Sequence, residues 1–196
     1  MQEQTHQEQT AIDSIRHSLS HLLAMAVLKK YPKAKLGIGP IIEHGFYYDF
    51  LLSADIRGLD ADTRGRIQRK SASIQRQSAL REEDLPELES TMREIIAQNL
   101  PFTGEKITPQ KARALFKDQP FKLDLIKEFT KEKKSLTAER TGDFFIELCK
   151  GGHVRNTSEI PADAFKLTAI AGAYWRGDEK NPQLTRIYGL AFATKE

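Results

Sequence analysis

The sequence contains one cysteine, Cys149, among 196 residues. A single thiol cannot close an internal disulfide, so its uses reduce to packing, metal ligation or reactivity. No apolar run approaches the roughly 20 residues that cross a bilayer, which excludes an inserted segment. The opening stretch, Met1 to Thr10, lacks both the basic start and the apolar core of a secretory signal. With the lone thiol, this leads to the expectation of a cytoplasmic, membrane-free protein. A strong charge excess is missing too. The net charge of +3 neither requires a nucleic-acid partner nor repels one. No internal repeat is found. What is present, 39% hydrophobic and 29% charged residues, is the balance of a globular chain long enough for one principal domain.

The expected organisation is a flexible start over residues 1–11 and a domain over 12–196. Ile12, Ile15, Leu19, Leu22, Leu23, Ala26 and Val27 recur at helical spacing over 12–30, with Asp13 or Ser14 available as the N-cap. Tyr31-Pro32 ends that helix. A short strand over 35–40, a turn at His44 and Gly45 and an aromatic strand over 46–50 follow. Residues 54–84 have few large apolar side chains and read as a basic insertion or a solvated helical arm outside the core. Their cations include Arg64, Arg66, Arg69, Lys70 and Arg76. Helices are expected over 86–99 and 109–117, the second capped by Thr108, and strands over 121–126, 144–149, 165–167, 173–175 and 186–192. Tyr174, Trp175 and Tyr188 fall in strand-like runs and read as core. The mixture is an α+β fold.

Four residues invite chemistry. His17 and His21, four apart on one helix, share a face. Cys149 and His153 flank two glycines that permit a sharp turn. Together they can form a tetrahedral cluster that holds zinc, or a metal-free set of acid, base and hydrogen-bonding groups around a water. Taken singly, each pair reads more blandly, as packed or surface side chains. His44 reads as a turn residue and the basic stretch as a solvated helix face.

Several ordered blocks raise the cluster above that background. They are His17-Ser18-Leu19-Ser20-His21, Gly37-Ile38-Gly39-Pro40, Gly45 to Phe50, Cys149 to His153, Phe165-Lys166-Leu167, Ala171 to Asp178 and Thr185 to Gly189. Together they resemble the editing region of the threonyl/alanyl-tRNA synthetase family, in its bacterial threonyl form. The resemblance implies an antiparallel sheet packed with helices and an aminoacyl-tRNA deacylase that removes serine from mischarged tRNA(Thr). It implies catalytic roles for His17, His21, Lys122, Glu147, Cys149 and His153, with Tyr48 bordering the pocket. Glu147 stands where the family more often has aspartate, Gly152 replaces a proline, and His44 also departs from the commoner residue. Threonyl-type sites work without metal, the reading favoured here, whereas alanyl-type relatives place zinc on the same four residues. The implied partners are the acceptor end of tRNA(Thr), held in part by Arg64, Arg66, Arg69, Lys70 and Arg76, and the remainder of a synthetase where the chain is part of one. Without ATP-binding and aminoacylation motifs, the chain cannot charge tRNA by itself. The alternatives are a zinc-dependent editor of Ser- or Gly-tRNA(Ala) and a tRNA-binding module without catalysis.

Overall fold

The structure, a computed structural model, describes residues 2–52 and 80–193. Arg64, Arg66, Arg69, Lys70 and Arg76, with most of the expected arm over 54–84, lie outside the described residues. In chain order the elements are α1 (Gln2–Lys30), β1 (Lys35–Leu36), β2 (Ile41–Ile42), β3 (Gly45–Leu51), α2 (Leu85–Ala97), β4 (Phe102–Ile107), α3 (Pro109–Leu115), α4 (Pro120–Lys131), β5 (Leu136–Thr141), β6 (Phe145–Leu148), β7 (Phe165–Tyr174) and β8 (Gln183–Ala191).

The leading helix carries the apolar stripe read from sequence, with Leu19, Leu22, Leu23, Ala26 and Val27 at most 1% exposed. Each such leucine contributes about 1.5–3 kcal/mol of burial. The helix begins earlier than expected. Residues 2–11, anticipated as a flexible start, continue α1, because this Gln- and Glu-rich tract contains no glycine or proline to stop it. Asp13 and Ser14 are therefore interior positions rather than caps. Ser14 Oγ donates to Thr10 O at 3.0 Å, and Asp13 pairs with Arg16 at 3.5 Å.

Two antiparallel sheets face this helix. The larger runs β1-β3-β8-β7, with β2 also on β3, and the smaller runs β4-β5-β6. One apolar core joins α1 and α2 to the inner face of the larger sheet, where Phe46, Phe50 and Ile187 are fully covered. A second core lies between the smaller sheet and helices α3 and α4, built on Ile107, Ala112, Phe116, Ile126, Leu136 and Ala138. The register pairs Gly104, Glu139 and Glu147 across the smaller sheet, and Phe102, Thr141 and Phe145 in the next row. Since directly paired residues share a face, these rows form the face opposite the second core. That face receives the histidines.

Further expectations change. Residues 121–126 are helical, inside α4. Pro120 starts the helix in a position that needs no N–H, and Phe121, Leu125 and Phe129 recur every four residues. The Phe121-Leu123-Leu125 alternation only imitated a strand. The anticipated strand over 35–40 shortens to Lys35–Leu36, after which Gly37 to Pro40 run as loop. The end of the supposed arm is also part of the core. Leu80 is buried among apolar side chains, and Asp84 accepts from Lys30 Nζ at 2.8 Å. Other readings hold at the residue level. Thr108 caps α3 by accepting from Lys111 N at 3.2 Å, and Leu88, Met92, Ile95 and Ile96 of α2 are buried. Trp175 is buried in the turn after β7, but Tyr174 is exposed and Tyr188 half-buried, because among the described residues no layer covers the outer face of β7 and β8.

Candidate active site

Helix α1 supplies the first pair. One helical turn separates His17, half-buried, from His21, 1% exposed, and their ring centroids lie 5.3 Å apart. The segment after β6 supplies the second. Gly151 and Gly152 adopt φ of +84° and +86°, left-handed values that reverse the chain within two residues and that side-chain-bearing residues rarely reach. The reversal brings His153 back beside Cys149. Cys149 Sγ lies 3.2 Å from His17 Nε2 and 3.3 Å from His153 Nε2, and ligand atoms of all four residues fall within 4.8 Å of one another. The ring of His153 stacks on Phe102 at 4.9 Å, and Phe145 meets His21 edge-on at 5.7 Å.

Burial sets the protonation of this cluster. Desolvation lowers the pKa of His17 and of His21, the latter well below its ordinary value, and brings His153 to about 3. Burial likewise pushes the Cys149 thiol up to about 12. At neutral pH the cluster therefore holds three neutral imidazoles and a protonated thiol. Ser18, one residue after His17, fixes one tautomer. Its hydroxyl donates to Ser14 O at 2.8 Å and accepts from Val154 N at 3.1 Å, which leaves an acceptor for His153 Nδ1–H at 3.3 Å. Nε2 of His153, facing the thiol, is then the unprotonated nitrogen.

Beside the cluster stands a buried charge pair. Lys122, 2% exposed on α4, places Nζ 2.5 Å from Glu147 Oε1, 2.6 Å from Gly37 O and 3.3 Å from Tyr48 Oη. Its three N–H groups thus have three acceptors. Glu147 also accepts from the Tyr48 hydroxyl and from Leu148 N at 2.7 Å. Burial and Glu147 hold the Tyr48 phenol well above its usual pKa, so it remains a donor. The extra methylene of glutamate gives Glu147 the reach to engage lysine and tyrosine together. The neighbouring strand position holds Glu139, 5% exposed, whose pKa burial raises.

These groups share one cleft of about 390 Å³, walled by His17, His21, Tyr48, Lys122, Glu147 and Cys149. All six residues anticipated as catalytic are thus neighbours, as is the anticipated pocket tyrosine; only His153, behind Cys149, does not line the cleft. Zinc fits the donor set. One sulfur and three imidazole nitrogens at this spacing are the ligand types of a tetrahedral site, and the buried His21 Nδ1 has no hydrogen-bond partner. His44 stays apart, in an exposed turn beside Glu43.

The chain is similar to several known proteins. Residues 140–188 match the family described as "Threonyl and Alanyl tRNA synthetase second additional domain". That stretch includes Glu147, Cys149 and His153. Over that stretch the chain is similar to this family. It is 45% identical over 98% of its length to a threonine–tRNA ligase of Thermotoga neapolitana, and 45% identical over 94% to one of Dehalococcoides mccartyi. A threonine–tRNA ligase of Rubrobacter xylanophilus is 44% identical over 93% of the chain. The chain spans about a quarter of the length of these relatives (26%, 27% and 24%). It thus matches an editing-domain part of a threonyl-tRNA synthetase, with the α+β fold expected of it. Within the family setting, Gly152 has a local explanation. Its φ of +86° is closed to proline, whose ring holds φ near −65°, so glycine at this position permits the left-handed turn.

Sequence reasoning missed several members of the site. Ser18 carried a signal, a serine placed between two histidines on an apolar helix. The Gly37 carbonyl carried none, since any residue has one and only tertiary packing brings it to Lys122. Among the described residues no helix is long and apolar enough to cross a membrane.

Proposed function

We propose that this chain hydrolyses the ester linking serine to mischarged tRNA(Thr), as the proofreading part of a threonine–tRNA ligase. The observation that carries the reading is the saturated Lys122–Glu147–Tyr48 group set against neutral imidazoles on the wall of one cleft. Proofreading is needed because serine lacks only one methyl of threonine, a difference worth about 1–3 kcal/mol in a snug pocket.

The geometry divides the labour. Every N–H of Lys122 is engaged, so it acts as a fixed cation and His17 is the base. His17, half-buried and neutral at pH 7, takes a proton from water as the water oxygen attacks the ester carbonyl. Negative charge that builds on the carbonyl oxygen is stabilised by the Lys122 ammonium in a partly dehydrated cleft. Collapse breaks the bond to the ribose oxygen, His17 returns the proton there, and serine leaves. Glu147 and Tyr48 hold Lys122 in place, while His21, Cys149 and His153 fix the geometry around His17. Zinc bound by His17, His21, Cys149 and His153 would instead supply Lewis-acid polarisation and a more acidic water.

The names of the relatives favour tRNA(Thr) over tRNA(Ala) as substrate carrier. The test is deacylation of Ser-tRNA(Thr), Thr-tRNA(Thr) and Ser-tRNA(Ala), repeated with His17→Ala and after chelation. Selective loss of serine from tRNA(Thr), lowered at least 100-fold by the substitution and indifferent to chelator, is expected. Loss of activity on chelation would transfer the role to zinc, a preference for tRNA(Ala) would favour the alanyl-type editor, and binding without hydrolysis would leave a tRNA-binding module.

A further inference from the structure

We propose that Lys106, Lys134 and Lys150 form a cationic lip that holds the phosphodiester backbone of an RNA 3′ strand entering the cleft. The inference rests on the hydrolytic reading above and identifies the described surface that grips the substrate's RNA.

Three observations support it. Lys134 and Lys150 line the cleft directly. Lys106 sits on β4 opposite Thr137, another lining residue, and so projects on the same face of the smaller sheet. Lys106 and Lys150 are exposed and, among the described residues, pair with no carboxylate.

The acids around the lip do not cancel it. Glu105 points to the opposite face of the sheet and is held by Lys111 at 2.9 Å, while Glu139 is buried. Among the described residues Glu132 shares the rim, on Lys134 at 2.6 Å, and Glu128, which also acts on Lys134, is held by Arg176 at 2.5 Å. The Lys134 ammonium lies 5.6 Å from the centre of the Phe129 ring, a lining residue, which keeps that charge over the cleft wall. The wall supplied by the loop between β1 and β2 has the opposite chemistry. Ile38 and Pro40 line it, and Ile38 and the adjacent Ile41 are 37% and 39% exposed. Cations on one wall and exposed aliphatic groups on another match a single-stranded nucleotide, with its phosphates and its base face.

The experiment compares two seryl esters, Ser-tRNA(Thr) and 3′-O-seryl-adenosine, which has no phosphate. Wild type is set against the Lys106→Ala/Lys134→Ala/Lys150→Ala variant, and binding of labelled tRNA(Thr) is measured against salt. The kcat/KM ratio of tRNA to nucleoside ester is expected to fall 10- to 100-fold in the variant. The slope of log affinity against log salt should become shallower by about 2, at roughly 0.7 per phosphate on single strands. Equal losses on both esters, or an unchanged salt slope, would overturn the lip. Hydrolysis of neither ester by wild type would defeat the functional reading, and the salt slope would still decide the lip.

Discussion

Replacing Lys122 by methionine removes the cation of the buried pair and leaves Glu147, 2% exposed, with only Tyr48 and Leu148 N as donors. An uncompensated buried charge costs about 3–5 kcal/mol. At roughly 2–4 °C per kcal/mol for a domain of this size, the midpoint of thermal unfolding should drop by about 6–20 °C. Glu147→Gln strands the ammonium instead and should cost a similar amount. The double variant Lys122→Met/Glu147→Leu removes both charges and should recover most of the loss, since apolar replacement of a whole buried pair is often neutral. The assay is thermal unfolding, with denaturant unfolding for the free energy, both followed by fluorescence of Trp175, the only tryptophan. Its ring lies 4.8 Å from Phe121 on α4, the helix that carries Lys122. A cost below about 1 kcal/mol for Lys122→Met, or a double variant that loses the sum of the singles, would refute the reasoning.

Two further predictions follow from the protonation of the cluster. His153 titrates near 3 in the fold and about 6.5 when unfolded, so the unfolded chain takes up its proton first; this stabilisation is complete above pH 6.5 and is lost as pH falls toward 3, by about 1.4 kcal/mol per unit. Urea midpoints should decline from pH 7.5 to 4.5 and decline less steeply in His153→Gln; parallel curves would contradict the assignment. Because burial holds the Cys149 thiol near 12, it is no ready nucleophile, and Cys149→Ser should keep deacylation within about tenfold of wild type. A loss of a thousandfold or more would point to covalent chemistry.

The legible parts of the molecule were those governed by local periodicity. The stripe on α1, the buried residues of α2 and the Thr108 cap each depend on neighbours within one or two turns. The His17–His21 pair was legible for the same reason. The misreading of residues 121–126 had the converse cause, since six residues with apolar side chains at alternate positions fit both periods. Pro120 was the deciding sign. The glycines at 151 and 152 announced a turn, but which way it carried His153 depended on left-handed φ at both positions.

By itself the sequence determined that His17 and His21 share a helix face and which helix faces are apolar, because spacing along a regular element sets the direction of each side chain. It also carried the resemblance to a family, through ordered blocks of residues. Only the tertiary structure decided what those residues are. Packing α1 between the two sheets brings residues more than 130 positions apart into one dehydrated cluster, and that dehydration keeps the imidazoles neutral and the thiol protonated. It likewise decided that the three donors of Lys122 end on Gly37 O, Tyr48 and Glu147. Burial and hydrogen-bond saturation belong to the assembled chain, since each depends on groups that are neighbours only after folding.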